Sequence, residues 1–118
     1  MKKATALLEI QQHLTENRFA VLYVQAQNCG VCTVFHKQVS ALLDTLPDIA
    51  GIETNIANVA EIASAYHILT APAVLFFVEN KEIWRSARFI DMKGLQSVLE
   101  QYLLEYAKFA KENGADIG

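Results

Sequence analysis

Basic clusters, long apolar runs, glycine, proline and cysteine are all scarce in this sequence of 118 residues. No basic run exceeds Lys2-Lys3 and the net charge is −3. A phosphate-binding face is therefore absent, and no nucleic-acid partner is expected. The longest apolar run, Ala71 to Val78, has eight residues, against about 20 for a membrane-spanning helix. No transmembrane segment and no membrane partner are expected. The start, Met1-Lys2-Lys3-Ala4-Thr5-Ala6-Leu7-Leu8, faintly resembles a secretory leader, but Glu9 ends the apolar stretch and no small-residue cleavage site follows. It reads instead as the basic start of an amphipathic helix. Two cysteines are too few for the cross-linked scaffold of a secreted domain, which points to a reducing, cytoplasmic setting. No repeat, low-complexity tract or linker interrupts the chain.

What is present is apolar and periodic. Hydrophobic residues make up 53% of the chain, and one domain spanning 1–118 is expected from this length. A helix is predicted over about 3–16, with Leu7, Leu8 and Leu14 sharing a face. The continuous run Phe19 to Gln25 reads as a strand covered on both faces. Ala26-Gln27-Asn28 makes a polar turn. From Val31 to Leu46 the apolar residues Phe35, Val39, Leu42, Leu43 and Leu46 recur at helical steps, ending before Pro47. A second strand is predicted over 49–56 and a short helix over 59–66. A third strand follows over 73–78, then a turn at Glu79-Asn80-Lys81 and an antiparallel strand over 83–90. The last helix is predicted over about 93–111, with Asn113-Gly114 as its stop. Strands alternating with helices and closed by a hairpin define an α/β architecture: a central mixed sheet of four to five strands with helices on both faces. Trp84, Tyr102 and Tyr106 read as packing residues, and Arg85 and Arg88 as lying on a solvated strand.

The informative spacing is Cys29-Gly30-Val31-Cys32, placed where a strand gives way to a helix. Only a thiolate attacks a disulfide, and free cysteine is mostly protonated at neutral pH. A cysteine at the start of a helix faces unpaired N–H groups and the positive end of the macrodipole, which favour the anion. Cys32 lies one turn further, so the two sulfurs can meet, with Gly30 allowing a tight turn between them. Zinc is the competing reading. A structural zinc site needs four ligands, and there is no second cysteine pair. His36 reads as lying on the exposed face of its helix, and His13 and His67 are remote in sequence. No metal is expected. Covalent haem attachment is excluded by Thr33, which stands where a histidine would be required.

These residues resemble the thioredoxin family over nearly the whole chain, Phe19 to about Leu104. Three features carry the resemblance. Val21-Leu22-Tyr23-Val24 leads into the C-G-V-C motif at a helix start. Ala71-Pro72 precedes a strand some forty residues later. A hairpin and a helix close the chain. The resemblance implies a thioredoxin-like fold, catalytic Cys29 and Cys32 forming a redox-active disulfide, and no other cofactor. It also implies a cis Pro72 facing the cysteines and a substrate backbone pairing with Ala71. The departures are specific. Asn28 replaces a usual Trp, Val31 a usual Pro, and Thr33 a frequent Lys. Tyr23 stands where a buried Asp is common, and Phe89 where a docking glycine is common. Val31 is expected to make the site less reducing than thioredoxin's roughly −270 mV. Glu53 falls near the strand position where the family often keeps a buried Lys. An exposed Glu at a strand edge is the favoured reading; a buried carboxylate near Tyr23 could instead relay protons.

The function these expectations support is a thiol-disulfide oxidoreductase acting on protein disulfides, recharged by an unidentified electron donor such as a thioredoxin reductase. The alternative is a thioredoxin-fold binding or co-chaperone-like module without turnover, because a fold alone does not specify function. The chain is expected to be a monomer or, through a stripe on the last helix, a weak homodimer.

Overall fold

The computed structural model describes residues 1–113. In chain order the elements are β1 (Lys2–Lys3), α1 (Leu7–Glu16), β2 (Phe19–Gln25), α2 (Gly30–Asp44) and β3 (Ala50–Asn55). They continue with α3 (Ile62–Ala65), β4 (Ala73–Val78), β5 (Lys81–Ala87) and α4 (Met92–Glu112). The five strands form one mixed sheet in the order β1-β3-β2-β4-β5. β1 and β2 run parallel to β3, whereas β4 runs antiparallel to β2 and β5.

Alternation along β2 divides the core in two. Ala20, Leu22 and Val24 pack with Ile10 and Leu14 of α1 and Ile62 of α3. Phe19, Val21 and Tyr23 pack with Val39 and Leu43 of α2 and Leu95 and Leu99 of α4. Because both faces are covered, β2 is a continuous apolar run, as parallel-sheet strands commonly are. Trp84, Tyr102 and Tyr106 pack against the second cluster, in agreement with the packing reading.

Four boundaries differ from expectation. The first helix begins at Leu7, because Lys2 and Lys3 pair with β3 and the Ala4 N–H donates to the Glu53 carbonyl at 2.8 Å. Leu8 is 61% exposed, and Ile10, His13 and Leu14 form the buried face instead. The short helix covers only Ile62–Ala65, since Asn55 captures the turn ahead of it. Its side chain accepts from the Ala57 N–H and its carbonyl from those of Asn58 and Val59. The hairpin turns on two residues, Glu79 and Asn80, both left-handed at φ 50° and 65°. Such a turn matches the twist of the strands it joins. β5 stops at Ala87 rather than continuing to Ile90, because Arg88 turns left-handed at φ 68°.

α4 is capped by Asp91, whose carboxylate accepts from the Gly94 N–H at 2.9 Å. It ends at Asn113, whose N–H and side-chain amide both donate to the Phe109 carbonyl. Gly114, the other half of the expected stop, lies outside the described residues. No helix among the described residues is long and apolar enough to cross a membrane.

Candidate functional site

β2 delivers the chain to the rim of the sheet, and the turn into α2 is made at Asn28, which is left-handed at φ 54°. Asparagine tolerates that conformation better than most side chains. Gly30 does not make the turn: it is already helical, and a Cβ added there would meet nothing within 4 Å. Cys29 is the N-cap of α2. Its sulfur accepts from the Cys32 N–H at 3.1 Å, and its carbonyl accepts from the Thr33 N–H at 3.3 Å. The two cysteines are joined as a disulfide with their Cα atoms 5.2 Å apart. They differ in access. Cys29 is partly exposed, whereas Cys32 is buried, only 1% exposed.

The opposite rim comes from the start of β4 and the end of β5. The Ala71–Pro72 bond is cis, and the Pro72 carbonyl accepts from the Arg88 N–H at 2.8 Å. A groove of about 120 Å³ runs between the rims, lined by Cys29, Val31, Ala71, Pro72, Arg88 and Phe89. The expected site residues Cys29, Val31, Ala71 and Pro72 thus meet in one place. Phe89 is 73% exposed beside them. The left-handed backbone that favours glycine belongs to its neighbour Arg88. Arg85 lies exposed on β5, as expected, whereas Arg88 does not lie on the strand. Arg88 sits beyond the end of β5 in the groove lining. The Arg85 guanidinium donates to the Tyr66 and His67 carbonyls at 2.7 and 2.9 Å and pairs with Glu82 at 2.6 Å, bracing the loop that leads to Pro72.

A left-handed arginine is strained relative to glycine by roughly 1–2 kcal/mol, partly offset by the extra freedom glycine has when unfolded. Arg88→Gly is accordingly expected to raise stability by about 0.5–1 kcal/mol, read as a higher urea midpoint. A lower midpoint would show that the Arg88 side chain contributes more packing than its backbone strain removes.

Beneath the cysteines lies a polar cluster. Tyr23, fully buried, donates its hydroxyl hydrogen to the Cys32 carbonyl. Burial pushes its phenol far above the usual value, and the nearby Glu53 charge pushes it further, so it stays protonated. Glu53 pairs with Tyr23 in the β2–β3 register and is 5% exposed. The exposed strand-edge placement is therefore corrected: β3 is flanked by β1 and β2. His36 is likewise not on an open helix face. Its Nε2 lies 2.7 Å from the Glu53 carboxylate, and its ring meets that of Tyr23 edge-on at 5.6 Å. Sequence reasoning missed His36. Its one signal was the four-residue step from Cys32, which sets both on one stripe of α2. Among the described residues, no three His, Cys, Asp or Glu side chains gather as a metal site would require.

The fold and the paired cysteines define a class. Thioredoxin of Plasmodium falciparum superposes with a TM-score of 0.78 at 18% identity, over 86% of this chain and 99% of that one. Thioredoxin of Fasciola hepatica does so with a TM-score of 0.76 at 22% identity, over 85% and 98%. The fold is that of thioredoxin. No protein-family profile matches the chain. Thioredoxin-like protein YdfQ of Bacillus subtilis is 30% identical to it over 104 residues, covering 86% of this chain and 93% of that protein. Thioredoxin of Mycoplasmoides gallisepticum is 27% identical over 100 residues, covering 85% and 100%. This chain belongs to the thioredoxin-like proteins.

Proposed function

We propose that this protein is a thiol-disulfide oxidoreductase that reduces protein disulfides with the Cys29/Cys32 pair. The observation that carries the reading is the position of Cys29 as the N-cap of α2, with its sulfur facing the Cys32 N–H at 3.1 Å. A negative charge on that sulfur is favoured by the N–H and by the helix's positive end. In the reduced protein the Cys29 thiolate attacks one sulfur of the substrate disulfide. The substrate S–S bond breaks, a Cys29–substrate disulfide forms, and the first substrate thiolate leaves and takes a proton. Cys32 then loses its proton and attacks the Cys29 sulfur, releasing the second substrate thiol and leaving the Cys29–Cys32 disulfide. Two electrons have passed from protein to substrate. A dithiol donor, such as a thioredoxin reductase, restores the pair, and a reducing cytoplasm is the compartment suited to that cycle.

The groove supports a protein substrate. It is flanked by exposed Phe89 and Val31, and Ala71 offers its backbone for an extended segment to pair with. No cofactor beyond the disulfide enters this reading. With dithiothreitol as donor, the protein is expected to accelerate insulin precipitation well above the donor alone, and Cys29→Ser to return the rate to the donor background. Equal rates for the two proteins would overturn the reading in favour of a binding module.

A further inference from the structure

Among the residues lining the groove beside the cysteines, Arg88 alone is basic and none is acidic. The ion pairs among the described residues, Arg18–Glu79, His36–Glu53 and Arg85–Glu82, leave Arg88 out. The next acid along the chain, Asp91, is engaged as the cap of α4 through the Gly94 N–H. Arg88 is exposed, so its charge is unmatched on this rim. Its backbone is nonetheless pinned. The Arg88 N–H donates to the Pro72 carbonyl at 2.8 Å, and the Asp91 N–H donates to the Ser86 hydroxyl at 3.0 Å, closing the turn around it. That turn holds Arg88 left-handed at φ 68°, where glycine is the less strained residue. A charged side chain kept at a strained position, exposed and without a partner in the fold, points to a partner outside it.

We infer that Arg88 selects the substrate: its guanidinium pairs with a carboxylate on the segment that carries the disulfide, so the preferred substrates are protein segments with Asp or Glu flanking the reacting cysteine. The inference rests on the oxidoreductase reading above. In that reading a substrate segment is held at two points, its sulfur at Cys29 and its backbone at Ala71. Both points border Arg88: Cys29 and Ala71 line the same groove, and Pro72, the next residue after Ala71, holds the Arg88 N–H. A long side chain rooted there reaches the residues on either side of the docked sulfur. The guanidinium suits the task, because its planar fork can donate two N–H bonds to one carboxylate. A single exposed ion pair is worth too little to draw a free anion from water. On a segment already tethered by its sulfur and backbone, the carboxylate is presented at a high effective concentration. The pair then acts less through affinity than by discriminating between substrates.

The test uses the reduced full chain and two cysteine peptides, each supplied as its mixed disulfide with 2-nitro-5-thiobenzoate. The peptides are identical except that the residues flanking the cysteine are Glu in one and Lys in the other. The Cys29 thiolate attacks the peptide sulfur, the bond to the chromophore breaks, and thiobenzoate, the better leaving group, departs as a coloured anion followed in stopped flow. The second-order rate constants give a Glu-to-Lys ratio in which any change in the reactivity of Cys29 itself cancels. Arg88→Gln keeps the left-handed backbone and removes the charge, and is expected to lower that ratio by about fivefold. Arg88→Glu is expected to lower it by about 10-fold or more, because attraction becomes repulsion. Arg88→Gly, which relieves the backbone, is expected to lose the preference as Arg88→Gln does, so that selection is separated from folding. Ratios within twofold of the parent's in both the Gln and the Glu variants overturn the inference, even if both peptides react more slowly, since Arg88 would then serve Cys29 alone. That result, with insulin reduced by the parent, leaves the oxidoreductase reading standing. A parent that releases no chromophore from either peptide and reduces no insulin sinks that reading and, with it, the selection by Arg88.

Discussion

A Cys32→Ser variant is expected to halt after the first half of the cycle and to accumulate stable disulfides between Cys29 and its substrates. The reason is geometric. Cys32 is held one helical turn from Cys29, with Cα atoms 5.2 Å apart, so its attack on a mixed disulfide is intramolecular. Well-oriented intramolecular reactions have effective molarities of about 10⁵ M and above, which millimolar external thiol does not approach. Insulin turnover above the donor background is expected to be lost. Non-reducing electrophoresis should show adducts that dithiothreitol removes, and mass spectrometry should place every linkage at Cys29. Adducts located elsewhere, or turnover within tenfold of the parent, would show that Cys32 does not resolve the intermediate. The trapped proteins would also name the substrates.

The largest expected loss of stability is at Phe76→Ala. Phe76 is fully buried on β4, between β2 and β5. Its ring stacks on Phe19 with centroids 6.4 Å apart and meets Tyr102 edge-on at 5.6 Å. It therefore ties two strands to α4. Truncating a buried Phe to Ala costs about 3–5 kcal/mol, a large share of the 5–15 kcal/mol typical of a folded domain. The melting temperature followed by circular dichroism should fall by roughly 12–20 °C. Leu104→Ala serves as the control, because Leu104 is 72% exposed, and its melting temperature should shift by no more than about 2 °C. A small change at Phe76 would mean that this half of the core closes over the cavity.

The elements that the sequence made legible are those whose signal is local. β2 is an unbroken apolar run, α2 repeats its leucines at helical steps, and β4 follows a proline; each was placed within a residue or two. The elements misjudged depend on distant partners. Lys2 and Lys3 carry no strand signal of their own and become β1 only because β3 offers a free edge. Asn55 shortens α3 by drawing the preceding turn onto itself. The tight turn expected of Gly30 is made by Asn28, since left-handed backbone is open to either residue type and only the path into α2 decides between them.

Local pattern alone places the two cysteines at the junction of a buried strand and an amphipathic helix, one turn apart, with Pro72 opening a later strand. Strand and helix periods are local properties, and they suffice to place the pair at a helix's positive end. What surrounds the pair is set by long-range contacts. Strand register set Glu53 beside Tyr23, the packing of α2 on the sheet lowered His36 onto that carboxylate, and the left-handed exit from β5 put Arg88 and Phe89 on the groove. Each is a meeting of residues far apart in the chain, governed by pairing offset and packing depth, which no spacing along the sequence encodes.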